Sequence, residues 1–278
     1  MERIPSDKPA RNQYFVQPEY ELVLLANRLA EANDILSLTG GIVVRSVPGR
    51  TTRRIELNLP DGSKLAAYLK CYEYDLPWLK RWLGLSNGAE NGLESLNEWR
   101  QILALRKLGF QTAAPVAAGW QQVGNTIRSF VMTAEIIDAV SGYDFWAASS
   151  NSKRRHFIPQ LAELAGRFHA AGFIHKDFYL GHIFVAERGG ELELTLIDLQ
   201  RVLGPQKFRT RWLLKDFGSM LFALQKAGAK RAAQLRFFKL YKDRQRLGAA
   251  EKKFLRKSLK RAAWLHGRKP KFGEPESE

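Results

Sequence analysis

Residues 175–201 read HKDFYLGHIFVAERGGELELTLIDLQR, and the fold turns on how this stretch is parsed. It sets Asp177 in a His-Lys-Asp turn, His182 five residues on, and Asp198 at the end of Leu194-Thr195-Leu196-Ile197. Arg188-Gly189-Gly190 separates two short β-rich runs, 183–185 and 192–197, and marks a hairpin. Two carboxylates roughly twenty residues apart, joined by such a hairpin, suit phosphoryl transfer to a hydroxyl. One takes the proton of the acceptor and the other holds magnesium on the nucleotide phosphates. A carboxylate at the end of a buried strand is costly unless it is paired or binds a metal, which fits Asp198 to the second role.

Upstream the chain is strand-rich. Segments 41–46 (GIVVRS) and 53–59 (RRIELNL) are β-prone, Pro60-Asp61-Gly62-Ser63 is a turn signal, and 64–72 (KLAAYLKCY) continues as a strand. These form an antiparallel meander. A Gly/Asn-rich loop, 83–92, leads to a helix starting near Gly92, where Leu93, Leu96, Trp99, Ile102, Leu103 and Leu105 recur at helical spacing up to Gly109. Segments 117–122 and 126–137 form a further strand pair about Gly124. Downstream the chain is mainly helical: 152–171, with Gly172 as its cap, then 212–225, then a basic helical region. The tail, 273–278, has the composition of a disordered end.

Composition bounds the class. Of 278 residues, 45% are hydrophobic and 26% charged, as in soluble globular proteins. No apolar run approaches the length of a bilayer span, residues 1–15 lack the apolar core of a signal peptide, and the single cysteine excludes an intrachain disulfide. The expected compartment is the cytoplasm. The net charge is +16, nearly all of it from 226–271, where 17 lysines and arginines face two acids, Asp243 and Glu251. So localised a charge points to an anionic partner. Phe237, Phe238, Leu240, Tyr241, Phe254, Leu259, Trp264 and Leu265 recur among the cations, so one face is expected to pack inward and the other to stay basic.

The remaining parts of a phosphoryl-transfer site have candidates in order. Lys70 lies on a strand and either reaches phosphate or holds its head in solvent; Glu98, on the next helix, either anchors Lys70 or is a surface glutamate. His175 is expected to brace the loop. Asp216-Phe217-Gly218 imitates a metal-binding triplet, but it sits in a helical pattern, so Asp216 is expected to support the loop by hydrogen bonds. No glycine-rich phosphate loop is present. The turn at Gly49 offers Arg50, Arg53 and Arg54 for phosphate contacts, or is a solvated basic turn.

Together these motifs resemble the lipopolysaccharide core kinases of the Kdo/WaaP type, relatives of the protein kinases. The resemblance rests on 175–182, 196–201, Glu98-Trp99, the 109–115 turn and 212–222, and covers about 39–271. It implies an α+β, two-lobed protein-kinase-like fold. Residues 1–137 would form a β-rich lobe with a five-stranded antiparallel sheet plus the Glu98 helix. Residues 138–278 would form a helical lobe with the catalytic loop and basic C-terminal helices.

The resemblance also implies ATP and Mg²⁺ as cofactors, with Asp177 as base and Asp198 on the metal. Lys70 would contact the α- and β-phosphates, held by Glu98, and Thr133, Glu135 and Ile137 would lie in the hinge that touches adenine. His182 stands where many kinases carry a metal-binding asparagine; it either ligates the metal or orients Asp198. The implied acceptor is a heptose or Kdo sugar of the lipopolysaccharide core or its lipid A-linked precursor. The enzyme would be peripheral on the cytoplasmic face of the inner membrane and bound to its anionic surface. No nucleic acid is expected. Gln200 and Gly181 depart from the family pattern, where His and Cys are frequent, and signal a different acceptor sugar. The alternatives are a kinase for another acceptor, protein or small sugar, and a catalytically inactive kinase-like binding module.

Overall fold

The computed structural model describes residues 12–75, 93–207 and 210–267. The 83–92 loop and the 273–278 tail lie outside them. The chain divides into two compact units, Met1–Arg100 with Ala114–Glu135, and Gln101–Ala113 with Ile136–Glu278.

The first unit is built on a six-stranded sheet in which every neighbouring pair is antiparallel. Its strands are β1 (Asn12–Val16), β2 (Ile42–Val47), β3 (Arg50–Asn58), β4 (Lys64–Asp75), β5 (Pro115–Val123) and β6 (Thr126–Ala134). Their order is β1-β5-β6-β4-β3-β2. Alternation along β4 sends Leu65, Ala67, Leu69 and Cys71 into one core, with Ile55, Leu57, Phe130 and Met132. Two short helices, α1 (Glu21–Ala26) and α2 (Ala32–Leu36), close that core with Val23, Leu24, Ile35 and Leu36. The period of two sends Lys70 to the opposite face.

The sequence led us to expect five strands and one helix here; β1, α1 and α2 are additional. Strand β1 is specified by its partner. It lies beside β5 at Gly119, where a Cβ would stand 2.6 Å from the Gln13 carbonyl oxygen, so the close approach needs glycine. The main boundary falls at 135/136, beside the expected 137/138, but residues 101–113 also group with the second unit. The first turns of α3 (Glu94–Lys107) thus belong to the first unit, while Ile102 and Leu105 join the core of the second.

The second unit contains α4 (Gly142–Ala148), α5 (Asn151–Ala170), α6 (Thr210–Lys226), α7 (Arg231–Tyr241) and α8 (Ala249–His266). A small antiparallel sheet joins β7 (Ala139–Ser141), β8 (Ile183–Arg188) and β9 (Glu191–Leu196) in that order. Phe157, Leu161, Leu164, Ala165 and Phe168 form the buried stripe of α5, as the helical spacing predicts. Asp216-Phe217-Gly218 lies in the middle of α6. Gly218 lets α8 pack close, since a Cβ there would stand 2.6 Å from Arg261 Cγ. Phe217 packs against Phe237, Phe238, Tyr241 and Phe254 at 4.9–5.7 Å between ring centres, which anchors α7 and α8 by their aromatic face. Among the described residues no helix is long and apolar enough to cross a membrane.

Candidate active site

The first unit carries a lysine–glutamate pair. Lys70 Nζ donates to Glu98 Oε1 at 2.8 Å, and the Glu98 side chain is only 3% exposed. A buried carboxylate needs such a partner, and the pair fixes an ammonium group at one place on the sheet. Thr133 is buried and lies opposite Tyr68 on β4. Glu135 donates its backbone N–H to the Ala66 carbonyl, which extends the β4–β6 ladder by one bond. Its carboxylate takes two bonds from Arg54, at 2.8 and 2.7 Å, and one from the Tyr68 hydroxyl. Arg54 therefore holds the Glu135 carboxyl below the usual carboxylate range. Arg53 is likewise occupied, donating to the Thr39 carbonyl. Ile137 lies beyond the boundary, in the second unit, and its side chain is exposed.

In the second unit, hydrogen bonds tie the His-Lys-Asp loop to α6 and to the segment that carries Asp198. Asp216, fully buried on α6, accepts the backbone N–H of His175 at 2.6 Å and of Lys176 at 2.8 Å. Lys176 has φ +70°, a left-handed conformation that a non-glycine residue adopts at a cost. The two amide bonds hold it there. His175 Nε2 donates to the Ile197 carbonyl at 3.2 Å, one residue before Asp198. His175 is wholly buried; burial, and to a lesser degree the charge of His182, push its pKa down to about 4, so the ring is neutral near pH 7. His182 Nδ1 lies 2.7 Å from the Asp177 carbonyl oxygen.

Behind this loop, Tyr241 of α7 and His169 of α5 extend the network to Asp216. The Tyr241 hydroxyl is 2.9 Å from His169 Nδ1, and His169 Nε2 is 3.4 Å from Asp216 Oδ2. Burial raises the pKa of the Tyr241 phenol, so its proton stays on oxygen.

The His182 bond fixes a tautomer. A carbonyl only accepts, so Nδ1 carries the proton, and in the neutral ring Nε2 presents a lone pair. That lone pair lies 3.7 Å from Asp198 Oδ2. Asp198 itself has φ +57°, a left-handed turn that aspartate tolerates better than most residues. Two electron-pair donors at this spacing fit a cation between them, and Mg²⁺ needs few protein ligands because it keeps several waters and phosphate oxygens. The carboxylate is the better of the two donors for so hard an ion. Among the described residues no group of three or more metal-ligating side chains is present.

One residue escaped the sequence reading. Arg201, in the turn after Asp198, places Nη1 3.0 and 2.8 Å from the two carboxylate oxygens of Asp177. The available signal was a cation closing the Ile-Asp-Leu-Gln-Arg run; the pairing across 24 positions was not in the sequence.

The sequence profile of the lipopolysaccharide kinase (Kdo/WaaP) family matches residues 90–241, more than half of the chain. The lipopolysaccharide core heptose(I) kinase WaaP of Escherichia coli is 30% identical over 154 residues, 52% of this chain and 58% of that protein. The chain thus matches less than two thirds of that relative's length. The Pseudomonas aeruginosa protein of the same name is 27% identical over 247 residues, 84% of this chain and 90% of its own. Among solved structures, WaaP in complex with acyl carrier protein superposes with a TM-score of 0.65 at 23% identity, covering 91% of this chain and 96% of that one. The likeness extends to the α+β kinase-like architecture of a β-rich sheet unit and a mainly helical unit.

Proposed function

The chain belongs to the lipopolysaccharide kinase (Kdo/WaaP) family, and from that premise we propose that it is an ATP-dependent kinase for a sugar hydroxyl of the lipopolysaccharide inner core, a heptose or Kdo. The observation that carries this reading is the hydrogen-bonded unit of His175, Asp177, His182 and Asp216, with Asp198 Oδ2 3.7 Å from His182 Nε2. Asp177 takes the proton of the attacking sugar hydroxyl. Asp198 would hold Mg²⁺, and His182 would either complete the ligand set through its Nε2 lone pair or, with both nitrogens protonated, orient the carboxylate. When bound, the metal neutralises charge on the nucleotide phosphates. Lys70, fixed by Glu98, contacts the α- and β-phosphates, and the 133–137 segment meets adenine through its backbone. His175 and Asp216 position the loop and touch no substrate.

The basic faces of α7 and α8 support a peripheral site on an anionic membrane, where polybasic surfaces gain about 1 kcal/mol per cation near the lipid. The relative solved with an acyl carrier protein makes such a protein a second candidate partner; co-purification from a lysate with tagged carrier protein tests it.

The activity is tested by ³²P transfer from ATP to purified lipopolysaccharide core, with mass spectrometry of the product. Asp177→Ala is expected to lower turnover by at least 10³-fold with the unfolding transition unchanged, a scale typical of lost acid–base function. Wild-type turnover in that variant removes Asp177 from the role of base.

A further inference from the structure

Beside Asp177 lies a group of cations that the transfer chemistry does not use. Trp212, at the start of α6 and half-buried, has three of them over its indole. Lys215 Nζ is 4.6 Å from the ring centre, Arg211 Cζ 5.2 Å and Lys176 Nζ 5.8 Å. The ring gives each a weak cation–π attraction, while the three charges repel one another. Among the described residues no carboxylate lies within ion-pair distance of Lys176, Arg211 or Lys215. The nearby acids are committed elsewhere: Asp177 to Arg201, and Asp216 to two amides beneath the loop. Burial, then the charges of Arg201 and Lys215, lower the Lys176 pKa, a sign that positive charge is crowded here. The Lys176 backbone is also pinned in its left-handed conformation by Asp216, which fixes the point from which its side chain starts. A solvated patch of surface lysines would spread out, whereas this group is gathered on one aromatic platform next to the proposed base.

We propose that Lys176, Arg211 and Lys215, gathered about Trp212, together with Arg201 on Asp177, form a subsite for an oxyanion of the acceptor glycolipid, so that the hydroxyl to be phosphorylated is delivered to Asp177 from a fixed anionic neighbour. The proposal rests on the reading of Asp177 as base. Arg201 links the two sites: an arriving oxyanion draws its guanidinium from Asp177 and frees the carboxylate for the hydroxyl. The shared chemistry is a phosphate or a carboxylate carried by the acceptor, and the two sources are separable.

The test uses the full chain and purified inner-core glycolipid in three forms: intact, dephosphorylated, and with its sugar carboxylates converted to methyl amides. Arg211→Gln/Lys215→Gln, both exposed positions, is expected to raise the acceptor KM at least tenfold with the KM for ATP within twofold. Arg211→Lys/Lys215→Arg keeps the charges and is expected to stay within threefold of wild type. The wild-type advantage disappears on whichever glycolipid form lacks the bound group, which names phosphate or carboxylate. An unchanged acceptor KM in the Gln pair overturns the subsite. If wild type transfers no phosphate to intact glycolipid, the kinase reading fails instead. The subsite is then judged by titrating core oligosaccharide against the Trp212 indole NMR resonance. A shift present in wild type and lost in the Gln pair supports it, and a shift absent from wild type or equal in both overturns it.

Discussion

Replacing Asp216 by alanine removes the carboxylate that accepts two amides of the His-Lys-Asp loop, and the cost follows from the contacts. Two backbone amides, at 2.6 and 2.8 Å, lose a charged acceptor inside the protein. Hydrogen bonds to charged groups contribute about 1.5–3 kcal/mol each, so the pair sums to about 3–6 kcal/mol; the 3.4 Å contact from His169 adds little. The native domain holds only about 5–15 kcal/mol in total, so Asp216→Ala sits near the limit of folding. Asp216→Asn keeps the volume and one acceptor but turns an NH₂ group toward the other amide, and is expected to lose about half as much.

The assay is equilibrium unfolding in urea, together with hydrogen exchange at the amides of His175 and Lys176. Both variants are expected to lose protection at those two amides by more than at the α5 core, and Lys176 is expected to leave its left-handed conformation. A loss below 1 kcal/mol in Asp216→Asn, with both amides still protected, refutes the claim that Asp216 holds the loop.

Two further outcomes are expected. Lys70→Met leaves Glu98 buried without its ammonium and is expected to destabilise the first unit by about 3–5 kcal/mol. Adding Glu98→Leu should restore the thermal transition without restoring Mg-ATP affinity, and failure of that rescue would show that the pair is not the cause. For His175, the folded pKa of about 4 lies below the ordinary 6.5, so the unfolded chain takes the proton first as pH falls. The contribution is complete above pH about 6.5 and declines toward pH 4, reaching a loss of about 2 kcal/mol at pH 5. Urea titrations at pH 7 and pH 5 on wild type and His175→Gln should differ by that amount, and equal pH slopes would contradict it.

Most strands and helices were legible because their signals are local. Pro60-Asp61-Gly62-Ser63 turns β3 into β4, and the apolar stripe of α5 runs until Gly172 stops it with φ +83°. What escaped depends on distant partners. Strand β1 exists because Gly119 admits it, more than a hundred residues downstream. The division of the chain inside α3 leaves no mark on the sequence, because the helix is continuous through Arg100 and Gln101. The sequence offers Glu135 as a nucleotide contact but does not show that its carboxylate is engaged by Arg54 across 81 positions. Asp177 and Asp198 were visible as a pair; the Arg201 guanidinium on Asp177 was not.

The neutrality of His175 has a consequence for the electric potential at the site. A brace that carried charge, bonded one residue before Asp198, would offset part of the negative charge proposed to hold a divalent cation. Burial strips the imidazole of its proton while leaving one N–H for the Ile197 carbonyl. The loop thus has an uncharged support, and the negative charge of Asp198, the proposed metal ligand, is not offset by the brace that holds the loop.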